Sequence, residues 1–135
     1  MSVEAGVAAA AALQARIHAQ IPLARAMQVR SESFDGERVV LAAPLAANLN
    51  DKGTGFAGSL ATLVTLARWS LATLLGEACG EPCEAAVYHS ELDFLRPVRE
   101  ELRAEARVAD PVAIARLNER LAAGKRAKLS VLARL

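Results

Sequence analysis

The chain has 135 residues, 53% hydrophobic and 23% charged, enough for one domain (1–135) with its own core and too apolar to be disordered. Sixteen Lys and Arg against fifteen Asp and Glu leave a formal charge of +1, which offers no basic footprint for nucleic acid and no polybasic signature for anionic lipid. Five aromatic residues (Phe34, Phe56, Trp69, Tyr88, Phe94) are too few to form a stacking platform for single strands.

In chain order, Val7, Leu13, Ile17 and Ile21 follow helical spacing and predict a helix over about 3–21, which Pro22 ends or kinks. Two β-like runs follow, Met27 to Phe34 and Arg38 to Leu45, joined by Asp35-Gly36, a strong hairpin signal. Pro44 to Gly58 reads as a linker rich in Asn, Asp and Gly. Between Gly53 and Gly76 the only charge is Arg68, which predicts an apolar helix over about 56–75, with Gly76 as its C-terminal stop. Apolar residues on every face make that helix a buried one. After a Gly80–Cys83 loop, Ala85 to Val98 alternates as a long strand, with Pro97 near its end. Leu102 to Val108 alternates as another. Asp110-Pro111 opens a short amphipathic helix carrying Ile114, Leu117 and Leu121, closed by Gly124, and Lys128 to Leu135 gives a last strand. The expected architecture is α+β, an antiparallel sheet around one central apolar helix. A sheet of this size covers one side of the helix, so a homodimer or dimer of dimers completes it.

Cys79 and Cys83 are too few for a disulfide framework, and a C-x3-C pair with two distant histidines is no zinc site, so no metal or cofactor is expected. The N-terminus lacks a basic region before its apolar run, unlike a secretory signal. The 53–76 stretch is long enough to span a bilayer, but a central Arg costs about 2.5–3.5 kcal/mol on insertion scales, so a soluble cytoplasmic protein is expected.

Residues 44–69, PLAANLNDKGTGFAGSLATLVTLARW, resemble the hotdog-fold thioesterase superfamily, and within it the YiiD C-terminal domain family. The pattern N-x-N-x-x-G-T-x-F-x-G-S-L is met by Asn48, Asn50, Gly53, Thr54, Phe56, Gly58, Ser59 and Leu60, and Asp93-Phe94-Leu95-Arg96-Pro97-Val98 is similar to the family's F/Y-L-R-P-V strand. The resemblance covers nearly the whole chain and implies a dimeric hotdog fold that hydrolyses acyl-CoA or acyl-carrier-protein thioesters. The chain departs from the superfamily at three places. Phe56-Ala57-Gly58 stands where many members carry His-Gly-Gly, Thr65 stands where related enzymes place an Asp or Glu, and the sequence ends at Leu135 where the family usually continues.

Thioester hydrolysis needs a polarised carbonyl, a positioned water and an acceptor for its proton. The resemblance places the first at the entry of the central helix, where backbone N–H groups of Ala57, Gly58 or Ser59 face the thioester oxygen. The expected catalytic residues are Asn50, donating its amide to that oxygen or holding the water, Asp51 as the carboxylate of the motif, Gly58, and Thr65, able to hydrogen-bond the water. Glu91 of the partner subunit is the alternative to Asp51. Asn48, Thr54, Phe56, Ala57, Ser59 and Arg96 are expected to bind substrate, Arg96 through a carrier phosphate. Ser59 is not a nucleophile, since G-x-S-x-G is absent. The competing reading, favoured by Thr65 and the missing entry histidine, is a non-catalytic hotdog dimer that binds acyl or CoA ligands or serves in assembly. Arg68 is expected to pair with a carboxylate or reach outward.

Overall fold

In the computed structural model, residues 1–80 and 82–135 are described; of the expected Gly80–Cys83 loop, Glu81 lies outside them. Helix α1 runs Val3–Gln20, capped by the Ser2 hydroxyl, which accepts the Ala5 N–H (3.1 Å). It buries Gly6, Ala10, Leu13 and Ile17, one stripe at helical spacing, and packs on β1. Gly6 allows close approach: a Cβ there would stand 2.3 Å from the Phe34 carbonyl oxygen. Pro22 begins a one-turn helix α2 (Pro22–Ala26) rather than simply ending α1.

Strand β1 is Arg30–Phe34 and β2 is Arg38–Ala43. The expected run from Met27 starts three residues late because Met27 closes α2 and Gln28 takes a positive φ of 58°. The hairpin forms as expected. Asp35 Oδ1 accepts the N–H groups of Glu37 (2.9 Å) and Arg38 (2.8 Å), and Gly36 turns with φ +95°. These two bonds favour the ionised carboxyl and hold Asp35 below its ordinary pKa.

The central helix α3 spans Ala57–Ala78. Gly76 does not stop it. It is buried inside the last turns with Cys83 Sγ against it, and the helix ends two residues later, before Gly80 in the left-handed region (φ +78°). Strand β3 is Leu102–Val108, with Leu102, Ala104, Ala106 and Val108 inward, as the alternation predicts. Helix α4 (Val112–Ala122) follows, its Val112 N–H taken by the Asp110 carboxylate, and β4 is Val131–Arg134. The four strands form one antiparallel sheet in the order β1-β2-β3-β4. Its inner face, with Val39, Leu41, Ala104 and Ala106, joins Leu63, Ala67 and Leu71 of α3 in a core closed by Leu13 and Ile17 of α1. The α3 face with Ala61, Thr62, Thr65, Trp69 and Ala72 stays half-exposed. α3 is long and apolar enough to cross a membrane, yet half of its most apolar window is buried against the sheet, as in a core helix.

The expected strand over 85–98 is not one. This segment pairs with nothing in the sheet and instead runs back along α3, from its C-terminus to its N-terminus. It is pinned there by Trp69 Nε1 donating to the Ala85 carbonyl (3.1 Å), by Arg68 Nη1 donating to Ser90 Oγ (3.0 Å), and by the Gly55 N–H donating to the Val98 carbonyl (2.7 Å). Alternating sequence makes a strand only where a neighbour supplies the ladder, and a groove separates this segment from the free edge of β4. Val87, Tyr88, Phe94 and Leu95 are left exposed.

Candidate active site

The loop entering α3 is a closed hydrogen-bonded unit. A bridge joins Leu49 to Gly55, the Asn50 N–H donates to the Thr54 carbonyl (2.8 Å), and the Phe56 N–H donates to the Asn48 carbonyl (2.8 Å). Asn50 holds the interior of the turn: its Oδ1 accepts from Lys52 N (2.8 Å) and Thr54 N (3.0 Å), and its Nδ2 donates to Thr54 Oγ1 (2.7 Å) and the Gly55 carbonyl (3.4 Å). Both amide protons are therefore committed inside the loop. Asn48 is buried beneath it, donating to the carbonyls of Met27 (3.0 Å) and Pro44 (2.8 Å), so it ties the loop to the start of the sheet.

The loop delivers the chain into α3 without a side-chain cap. Leu60 is the first residue whose N–H reaches back, to the Phe56 carbonyl (3.0 Å), which leaves those of Ala57, Gly58 and Ser59 without an intrahelical acceptor. The Phe56 ring lies over Gly58; a Cβ on Gly58 would meet it at 2.5 Å. This turn is the positive end of a 22-residue helix.

Beside it opens a groove of about 450 Å³. Its floor is a stripe of α3 at i, i+4, i+8 (Leu60, Val64, Arg68), one wall is the 91–98 segment, and the other is the end of β4 with Ala133 and Leu135. Four arginines line it. Arg103 is held by Glu32 (2.7 Å) and Arg134 lies 3.8 Å from Glu105, whereas Arg68 and Arg96 have no carboxylate partner among the described residues.

The sequence-predicted residues fall into three places. Asn48, Asn50 and Thr54 interlock in the loop, and Phe56, Ala57, Gly58 and Ser59 form the first turn of α3 beyond it. Asp51 points to solvent against Lys52 (3.1 Å), Thr65 lies two turns down α3 on the half-exposed face, and Arg96 lines the groove. Of the two expectations for Arg68, the carboxylate partner is not met: it donates to a hydroxyl and to the Glu91 main-chain carbonyl (3.5 Å). The groove floor was not foreseen, although Leu60, Val64 and Arg68 already stand at helical spacing in the sequence. Among the described residues no group of three His, Cys, Asp or Glu side chains is placed to hold a metal.

A four-stranded antiparallel sheet laid on one long apolar helix is the hotdog arrangement of thioesterases. The model of the family described as "Putative thioesterase (yiiD_Cterm)" matches residues 10–135, and the chain belongs to that family. Among solved structures it is similar to a "putative thioesterase" from Shewanella oneidensis, at 28% identity and a TM-score of 0.71, over 75% of this chain and 74% of that one. It shares its fold with a protein of unknown function from Chlorobaculum tepidum (24% identity, TM-score 0.80, 92% and 89% covered). The same holds for a "probable thioesterase" from Pseudomonas aeruginosa (23%, TM-score 0.67, 90% and 80% covered).

Proposed function

We propose that the chain hydrolyses acyl thioesters carried by coenzyme A or an acyl carrier protein, working as a cytoplasmic homodimer. The observation that carries this reading is the uncapped first turn of α3, followed at once by Leu60, the first helix residue that lines the groove. The thioester oxygen takes the N–H groups of Gly58 and its neighbours, the acyl chain lies along Leu60 and Val64, and the carrier leads outward past Phe56, with Arg96 meeting its phosphate. Water adds to the carbonyl carbon and gives its proton to a carboxylate. The tetrahedral intermediate then collapses, the C–S bond breaks, and the protonated carboxyl returns its proton to the departing thiolate, releasing the free thiol and the carboxylic acid. Asn50 is a positioning residue that fixes the loop. The base is Asp51 of the loop or Glu91 supplied across the dimer. The exposed 87–95 segment, with its unpaired backbone, is the edge on which a second copy pairs.

Free-thiol release from acyl-CoA and acyl-carrier-protein thioesters of graded chain length tests the activity, and sedimentation velocity tests the dimer. Flat progress curves with measurable ligand binding would make the chain a binding module instead.

A further inference from the structure

Arg68 is the one charge of α3 before Glu77, and the structure leaves it half satisfied. Its guanidinium donates to two neutral acceptors, Ser90 Oγ and the Glu91 carbonyl, while its Nε is buried with no partner. A buried donor without an acceptor is destabilising, the more so when it is charged, so a group that supplies one binds there with that advantage. The Glu91 carboxylate does not fill the place, since it turns to His89 Nε2 (3.4 Å), and Asp93, the other nearby carboxylate on that wall, is exposed.

Position says what the missing acceptor belongs to. Leu60 and Arg68 are eight residues apart on one stripe, about 12 Å along the helix. An extended chain advances about 1.2 Å per bond, so an acyl chain starting at the first turn of α3 reaches Arg68 after about ten bonds. The carrier leaves from the opposite side of the thioester. The group arriving at Arg68 is therefore the far end of the acyl chain.

We propose that Arg68 is a specificity-determining residue that selects acyl thioesters ending in a carboxylate, ω-carboxyacyl chains of about ten carbons, over plain fatty acyl chains. This rests on the hydrolase reading above. Leu60, Val64 and Leu92 hold the methylenes, and Arg68 closes a charge-assisted pair that its neutral partners leave open.

The test compares sebacoyl and decanoyl thioesters of N-acetylcysteamine, a neutral carrier, so that only the chain end differs in charge. The expected result is a wild-type kcat/KM ratio, sebacoyl over decanoyl, that falls about tenfold or more in Arg68→Met and is partly kept in Arg68→Lys. A wild-type preference for decanoyl, or an Arg68→Met variant with an unchanged ratio, overturns it. Calorimetric binding of the hydrolysis-resistant amide analogues separates the two readings. Tighter binding of the sebacoyl analogue that depends on Arg68, without turnover of any thioester, keeps the site and removes the hydrolase; equal binding or none removes the site.

Discussion

Asn50 is the residue on which loop architecture and chemistry make different predictions. Replacing it by Ala removes four hydrogen bonds of the 50–55 turn. The Lys52 N–H is exposed and recovers water, but Thr54 is buried and loses partners for both its N–H and its hydroxyl. At about 1 kcal/mol for each of these two groups, Asn50→Ala costs about 2 kcal/mol and lowers Tm by about 6–10 °C. Asn50→Asp behaves differently. Its carboxylate keeps both N–H bonds, the Thr54 hydroxyl turns to donate, and the added charge lies near the positive end of α3. Thermal melts and kcat/KM on an acyl thioester should therefore separate the variants: Asn50→Ala loses stability and activity together, and Asn50→Asp stays within a few-fold of wild type in both. A donor to the thioester oxygen would be missing from both variants, at a cost of about 100–1000-fold. An Asn50→Asp protein that melts like wild type yet is as inactive as Asn50→Ala would refute the positioning role.

Three further outcomes follow from the packing. Gly6→Ala drives a Cβ into the Phe34 carbonyl oxygen, a backbone atom that cannot swing aside, and should cost about 1–3 kcal/mol in urea unfolding. Asn48→Ala strips two carbonyls of their buried donor and should cost about 2–3 kcal/mol by the same measurement. Asp35 has a lowered pKa, so its contribution is present above the ordinary value of 3.8 and disappears as pH falls through the lower folded value. Because the side chain is exposed, the effect stays below about 1 kcal/mol, and Asp35→Asn should flatten the acid limb of the stability curve recorded between about pH 6 and 2.

The elements legible in the sequence are those whose signal is local. The Asp35-Gly36 turn, the alternation of β3 and the Asp110-Pro111 start each depend on neighbours in the chain; the first two stand where expected and the third falls one residue late, with Pro111 at the cap and Val112 first in the helix. The 85–98 segment failed because its alternation is as regular as that of β3, while strand formation depends on a partner edge that sequence does not display. Gly76 failed for a related reason: a glycine near a helix end reads as a stop, but this one is a packing site for Cys83. The entry motif was legible as a loop leading into the apolar helix, but it did not show that both amide protons of Asn50 are spent within the loop, because such saturation depends on how Thr54 and Gly55 fold back. Arg68 was visible as the lone charge of the apolar stretch. Its partners were not, since they lie on the 85–98 segment, whose path along α3 is set by tertiary contacts.

The source of the base follows from the same geometry and can be read from a pH profile. The first turn of α3 offers unpaired backbone N–H groups, but Thr65 cannot accept a proton near neutral pH and the α3 stripe facing the groove carries no carboxylate. In the proposed hydrolysis either a carboxylate outside α3 takes the water's proton, or hydroxide itself attacks and no base is needed. A carboxylate base gives an acid limb in log kcat/KM that levels to a plateau once the group is ionised. Hydroxide attack gives a rise of about tenfold per pH unit with no plateau, because only the concentration of the nucleophile changes. We expect the plateau, and its loss in Asp51→Asn or in Glu91→Gln identifies which carboxylate serves; a straight rise through neutral pH in the wild-type protein would leave the helix N-terminus as the sole catalytic device.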